Sequence, residues 1–204
     1  DATYGTSWGL GAYLDETDTR IMVVAVECNH SPDNGRLSEY SPFTFEGPQL
    51  GHVPGRGEET MDWFTQELKP LIDQRYPTRP GRAHTFIAGS SMGGLMSLYA
   101  VLCYNQVFSR AAALSPSLWV APKKLGQLID EADIRPGTVV YMDYGAKEMR
   151  SRRHMRRAFA SVSGRLIERR VLLTSRIVPR GEHTEASWSR QIPFFINTLL
   201  YEQP

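Results

Sequence analysis

The stretch Thr85-Phe86-Ile87-Ala88-Gly89-Ser90-Ser91-Met92-Gly93-Gly94-Leu95-Met96-Ser97-Leu98-Tyr99-Ala100 decides how the rest of the chain is read. Its first four residues have the composition and length of a short strand. From Leu95 onward a nearly continuous apolar run reads as a buried helix, extending to Tyr104. A Gly-x-Ser-x-Gly pattern joins the two. Strand, tight turn and helix together form the setting that pushes one serine out at the top of a sheet. The glycines answer the crowding of that turn: side chains at Gly89 and Gly93 are expected to collide with the adjoining strand and helix. Only Ser91 is framed by both; Ser90 is not. A helix N-terminus beside Ser91 also lets the Met92 amide donate to a growing oxyanion. The pattern recurs at Gly5-Thr6-Ser7-Trp8-Gly9, but nothing strand-like precedes it, and Ser7 reads there as a helix N-cap.

A serine hydroxyl needs a base to take its proton. The order that accompanies such a turn is serine, acid, histidine. Of His30, His52, His84, His154 and His183, only the last two follow Ser91. His154 lies in an arginine-rich helical stretch and reads as a surface residue. His183 sits in the loop Pro179-Arg180-Gly181-Glu182-His183-Thr184, after a strand and before the final helix, where an imidazole can swing over the turn. The acid must fall between Ser91 and His183. Glu148, in the turn Gly145-Ala146-Lys147-Glu148 after a strand, is favoured. Asp143 within that strand is the alternative, and a serine–histidine pair without an acid is a third possibility.

Outward from this motif, apolar runs alternate with helical patterns. Strands are expected at Arg20–Glu27, Thr85–Ala88, Ala111–Leu114, Thr138–Tyr144 and Val171–Val178. Most are apolar at consecutive positions, as in parallel strands buried on both faces. Helices are expected at Ser7–Asp15, Thr60–Gln74, Leu95–Tyr104, Lys124–Glu131, Ser151–Val162 and Glu185–Leu200, with Pro70 and Pro193 threatening breaks. The alternation predicts an α/β class: a mostly parallel, doubly wound sheet flanked by helices. The Pro- and Gly-rich stretch Ser31–Gly57 has no periodicity and reads as a lid or pocket wall.

With 204 residues, 41% hydrophobic and 22% charged, the chain reads as one globular unit over 1–204. That composition excludes disorder, collagen and a disulfide-framed miniprotein. No apolar run is long enough for a transmembrane helix, so no membrane partner is expected. The net charge of +1 names no partner, but its distribution is uneven. Residues 1–80 hold 6 Lys/Arg against 13 Asp/Glu, whereas residues 147–180 hold 11 Lys/Arg. That basic run lacks zinc spacing or an RNA-binding signature, so it reads as a solvated helix face, with an anionic substrate as the alternative and no nucleic acid. Cys28 and Cys103 read as buried free thiols, which leans towards a cytoplasmic protein. No metal-ligand spacing, phosphate loop or dinucleotide fingerprint occurs, so neither metal nor cofactor is expected. The oligomeric state is not legible.

Several segments beyond the turn resemble one family. They are Arg36-Leu37-Ser38-Glu39-Tyr40-Ser41-Pro42, Glu67-Leu68-Lys69-Pro70-Leu71-Ile72-Asp73-Gln74-Arg75-Tyr76, Gly89-Ser90-Ser91-Met92-Gly93-Gly94-Leu95, Ser115-Pro116-Ser117-Leu118-Trp119, and Gly181-Glu182-His183 followed by Trp188. Together they resemble the esterase D-like branch of the α/β-hydrolases. That branch includes feruloyl and acetyl-xylan esterases, S-formylglutathione hydrolases, siderophore trilactone esterases and mycolyltransferases. The resemblance implies an α/β-hydrolase fold and a serine carboxylesterase acting on a small-molecule ester, without a cofactor. It implies Ser91 as nucleophile, His183 as base, Glu148 as acid and Met92 as an oxyanion donor. Trp119, Arg36 and Tyr40 are then expected at the substrate. An acyltransferase, or a binding module on the same scaffold, are the alternatives. Family members carry an earlier strand and turn that supply a second oxyanion amide. This chain starts after that point, so the fold is expected to lack its N-terminal strands.

Overall fold

The computed structural model describes residues 8–151 and 153–201. Helix α1 (Leu10–Glu16) follows Gly9, whose φ of 68° is left-handed. The expected N-cap Ser7 lies outside the described residues. The next segment departs from expectation: Arg20–Glu27 is not a strand. Met22, Val23 and Val24 are 48%, 46% and 44% exposed, and the segment pairs with no strand among the described residues. Its β-branched side chains suit a strand, but a strand exists only where a neighbour supplies partners for its N–H and C=O groups.

The stretch 31–57 is also more structured than its composition suggests. It holds α2 (Gly35–Glu39) and an antiparallel hairpin of β1 (Phe45–Gly47) and β2 (Gly51–Val53). Phe45 and Val53 reach the main core, so the hairpin is packed against the body rather than hung over it. Then α3 (Gly57–Trp63), a π-helical turn (Phe64–Leu68) and α4 (Lys69–Arg75) form one helical run. Pro70 has no N–H to give and sits in the first turn of α4, directly after the widened turn.

The remainder alternates as expected: β3 (Phe86–Ser90), α5 (Met92–Cys103), β4 (Arg110–Leu114), α6 (Pro122–Glu131), β5 (Val139–Gly145), α7 (Ala146–Ser151), α8 (Arg153–Glu168), β6 (Leu172–Val178), α9 (Glu185–Ser189) and α10 (Ile192–Leu200). Pro193 lies in the first turn of α10, which explains why the expected helix over 185–200 is two. The strands form a parallel sheet in the order β3-β4-β5-β6.

Side-chain alternation along the strands assigns the two faces. Ala111, Ala113, Val140 and Met142 join Leu95, Leu98, Ile129, Met155 and Phe159 from α5, α6 and α8. Ala112, Leu114 and Tyr141 point the other way, to Leu10, Trp188, Ile192 and Phe195 from α1, α9 and α10. Every residue of β5 is buried, which places its C-terminal end deep behind whatever the loops build above it. Cys28 is half-buried and Cys103 exposed; both are free, but neither is the core thiol expected from residue statistics. Among the described residues no helix is long and apolar enough to cross a membrane.

Candidate active site

Ser91 occupies the sharp turn between β3 and α5, with φ 58° and ψ −117°. A non-glycine residue there is strained and must be held by its surroundings. Its amide donates to the Leu114 carbonyl at 2.9 Å, and its carbonyl accepts from the Ser117 amide at 3.0 Å and the Leu95 amide at 3.1 Å. The crowding falls differently from expectation. A Cβ on Gly89 would lie 2.6 Å from the Gly93 carbonyl carbon, and one on Gly94 would lie 3.0 Å from the Leu114 carbonyl oxygen. A Cβ on Gly93 would meet nothing within 4 Å, so the second tight glycine is Gly94. Met92 opens the twelve-residue α5 beside Ser91, which puts a helix N-terminus next to the hydroxyl.

Two loops bring the other groups to Ser91. β5 ends at Gly145, and Glu148 lies in the first turn of α7. His183 lies between β6 and α9. The loops touch at two glycines: a Cβ on Gly181 would come 2.8 Å from the Gly145 Cα. The Lys147 amide also donates to the Gly181 carbonyl at 3.0 Å. His183 Nε2 lies 3.0 Å from Ser91 Oγ, and His183 Nδ1 lies 2.7 Å from Glu148 Oε2. A carboxylate at Nδ1 favours a proton on that nitrogen, leaving the Nε2 lone pair facing the serine hydroxyl. Glu148 Oε1 accepts from the Gly145 amide at 3.0 Å and from Ser115 Oγ at 2.7 Å. The Glu148 side chain is 8% exposed and that of His183 46%, so the imidazole faces the opening with the carboxylate behind it. Trp188 packs edge-on to His183, with ring centroids 4.9 Å apart.

Asp143, the alternative acid, is elsewhere in the sheet. It is 1% exposed and accepts from the Tyr141 hydroxyl at 2.7 Å and the Ser115 amide at 3.1 Å. Burial pushes its carboxyl up to about 6, against the opposing pull of those two hydrogen bonds.

A cavity of about 440 Å³ opens over Ser91, lined also by Met92, Glu148, His183, Trp119, Leu37, Ser117 and Tyr144. Trp119 meets Phe45 of β1 edge-on at 5.3 Å, so the hairpin braces this wall. Arg36 and Tyr40 belong to the same helical segment as Leu37, but the cavity is lined by Leu37 and not by them. The Arg36 guanidinium instead lies 5.8 Å from the Tyr40 ring, and Tyr40 packs against two core clusters. Lys147 and Glu182 pair at 2.6 Å on the rim. Sequence reasoning does not single out Ser115, Tyr144, Trp188 or the Gly145–Gly181 contact. The one available signal is that Ser115, Trp188 and Gly181 stand in or beside the matching segments. Among the described residues no group of three or more His, Cys, Asp or Glu could hold a metal ion.

The family model named Esterase, described as "Putative esterase", matches residues 16–199. The uncharacterized protein YbbA of Bacillus subtilis (strain 168) is 27% identical over 150 residues, covering 72% of this chain and 57% of YbbA. The IroE-like serine hydrolase of Shewanella oneidensis superposes with a TM-score of 0.67 at 18% identity, over 82% of this chain and 56% of that one. The enterobactin esterase Fes of Shigella flexneri gives 0.58 at 22% identity, over 70% of this chain and 38% of Fes. This chain thus spans a little over half the length of YbbA and of the IroE-like hydrolase. The fold is of the α/β-hydrolase type, with a four-stranded parallel sheet flanked by helices.

Proposed function

Since the chain belongs to the Esterase family, we propose that it is a serine carboxylesterase working through an acyl-enzyme, with residues 1–204 belonging to a single α/β-hydrolase domain. The observation that carries this reading is the unbroken line from Glu148 through both ring nitrogens of His183 to Ser91 Oγ, at 2.7 and 3.0 Å. In the proposed reaction Ser91 Oγ attacks the ester carbonyl carbon while His183 Nε2 takes its proton. Glu148 holds the ring in the tautomer that can accept that proton and stabilises the imidazolium formed. The Met92 amide, at the positive end of α5, donates to the oxyanion. The intermediate collapses as His183 returns the proton to the departing alkoxide, leaving an ester on Ser91. Water, deprotonated by the same imidazole, then releases the acid and regenerates the hydroxyl.

The partner is a small-molecule ester. A cavity of about 440 Å³ with Trp119 and Leu37 on its walls suits a compact, partly apolar acyl or alcohol group. Arg36 and Tyr40 would meet only a substrate long enough to extend past Leu37. The test is labelling with a fluorophosphonate probe alongside hydrolysis of para-nitrophenyl acetate. Wild type should label and turn over, and Ser91→Ala should do neither. Equal labelling of the Ser91→Ala protein sinks the proposal.

A further inference from the structure

We propose that Ser115 is a positioning residue for the acid of this site, acting through Glu148 with its proton direction set by Trp188; this rests on the triad reading above. Ser115 follows β4 and is the point where three separate elements meet. Its hydroxyl lies 2.7 Å from Glu148 Oε1 and 3.1 Å from Trp188 Nε1. Its amide donates to Asp143 Oδ1 at 3.1 Å. The residue is 1% exposed, so bulk solvent does not reach these bonds.

The chemistry of the donors fixes the direction of the chain. An indole N–H can only donate, so the Ser115 oxygen is the acceptor in that pair. A hydroxyl has one hydrogen, and with its oxygen engaged by the indole that hydrogen is directed to Glu148 Oε1. Glu148 Oε1 is thereby held by two donors, Ser115 and the Gly145 amide, and Oε2 is left to face His183. Trp188 serves at both ends, since its ring also packs edge-on against the His183 imidazole. The backbone supports the same view. Ser115 has φ 41°, a left-handed conformation that a side chain adopts only at a cost. A glycine would adopt it freely, yet the position carries a hydroxyl.

The groups facing Ser115 are Asp143 from β5, Glu148 from α7 and Trp188 from α9. His183 and, beyond it, Lys147 and Glu182 lie on the outer side of Glu148. Removing the hydroxyl leaves Glu148 with one donor fewer. The carboxylate then holds the imidazolium more strongly, and the carboxyl group is freer to turn.

The experiment is to compare wild type with Ser115→Gly and Ser115→Ala using para-nitrophenyl acetate across pH. Ser115→Gly eases the left-handed backbone but leaves the buried Trp188 Nε1 without its acceptor, so its thermal midpoint should fall less than that of Ser115→Ala. Its kcat should nevertheless fall roughly 10- to 100-fold, the scale of a lost hydrogen bond to a charged group, with KM within about twofold. The acid limb of the kcat profile should move to higher pH in both variants. A purely structural role would leave the limb in place however far the melting points fall, which overturns the inference. Unchanged kcat and limb in a folded Ser115→Gly protein also overturns it. The triad reading is judged separately. If Ser91→Ala is inactive while Ser115→Gly matches wild type, only this inference fails; if Ser91→Ala stays active, the reading beneath it fails.

Discussion

Two carboxylates five residues apart, Asp143 and Glu148, live under different physics. Asp143 is inside β5, flanked by the ladder and 1% exposed, and its hydrogen bonds go to Tyr141 and the Ser115 backbone. Burial there raises the cost of ionisation enough to push its carboxyl up to about 6. Glu148 lies just past the strand, where the chain turns at Gly145, with its side chain still only 8% exposed. One oxygen meets two donors and the other meets His183. Position relative to the strand's C-terminal end, rather than proximity in sequence, decides which of the two carboxylates reaches the imidazole. A carboxylate in the strand is a cost carried by the core. A carboxylate one turn later is aimed into the site.

The sharpest break of that contrast is a pair of isosteric changes. Glu148→Gln should lower kcat roughly 10³-fold with the fold intact, because an amide nitrogen facing Nδ1 would impose the wrong imidazole tautomer. Asp143→Asn should change kcat only a few-fold. A larger loss from Asp143→Asn than from Glu148→Gln, measured on para-nitrophenyl acetate, would reverse the assignment of the two acids.

The reach of sequence reasoning follows the same division. Ser91 and His183 are singled out by a local turn pattern and chain order. Glu148 is favoured by its place after a strand and by the resemblance, since chain order leaves Asp143 open. In the structure His183 lies within hydrogen-bond distance of both Ser91 and Glu148. Ser115 and Trp188 are not, since their bonds to each other and to Glu148 exist only once β4, α7 and α9 converge. Strands β3 to β5 are legible as apolar runs, whereas β6, at the end of the described sheet, carries Thr174, Ser175 and Arg176 and is partly exposed along its length rather than buried on both faces. The equally apolar Arg20–Glu27 misleads, because periodicity reports what a segment can bury and says nothing of whether a neighbour exists to pair with it. The second tight glycine of the turn is Gly94 rather than the expected Gly93 for a related reason. The motif gives spacing, while the crowding at Gly94 comes from the Leu114 carbonyl on another strand.

Stability against pH sharpens the contrast from the side of Asp143. Its folded-state value is raised above the ordinary carboxyl value of 3.8. A group raised in this way contributes most below the unfolded value, and that contribution is lost as pH climbs through about 6. From this group the protein should therefore lose stability between about pH 4 and pH 7, by of order 2–3 kcal/mol, since each pH unit between the two values is worth about 1.4 kcal/mol. Asp143→Asn should flatten that slope in urea titrations at several pH values. An unchanged slope would show that ionised Asp143 is better compensated than its burial implies.

A smaller effect is expected where the two loops touch. Gly145→Ala places a methyl against the Gly181 carbonyl and the Glu148 carboxylate. Overpacking of this kind costs about 1–3 kcal/mol. It should also lower kcat by parting His183 from Glu148. A variant that loses stability at full kcat would mean that the loops can separate without disturbing the acid–base pair.

The unpaired run around Met22, Val23 and Val24 has a colloidal consequence. These side chains are each more than two-fifths exposed, on a backbone that forms no ladder among the described residues. β-Branched and apolar residues with open amides and carbonyls are what a second chain needs to add a strand. Self-association on concentrating the protein is therefore expected to begin at this segment, which does not line the cavity. Val23→Lys would act as a gatekeeper, raising the concentration at which light scattering sets in while leaving turnover as it was.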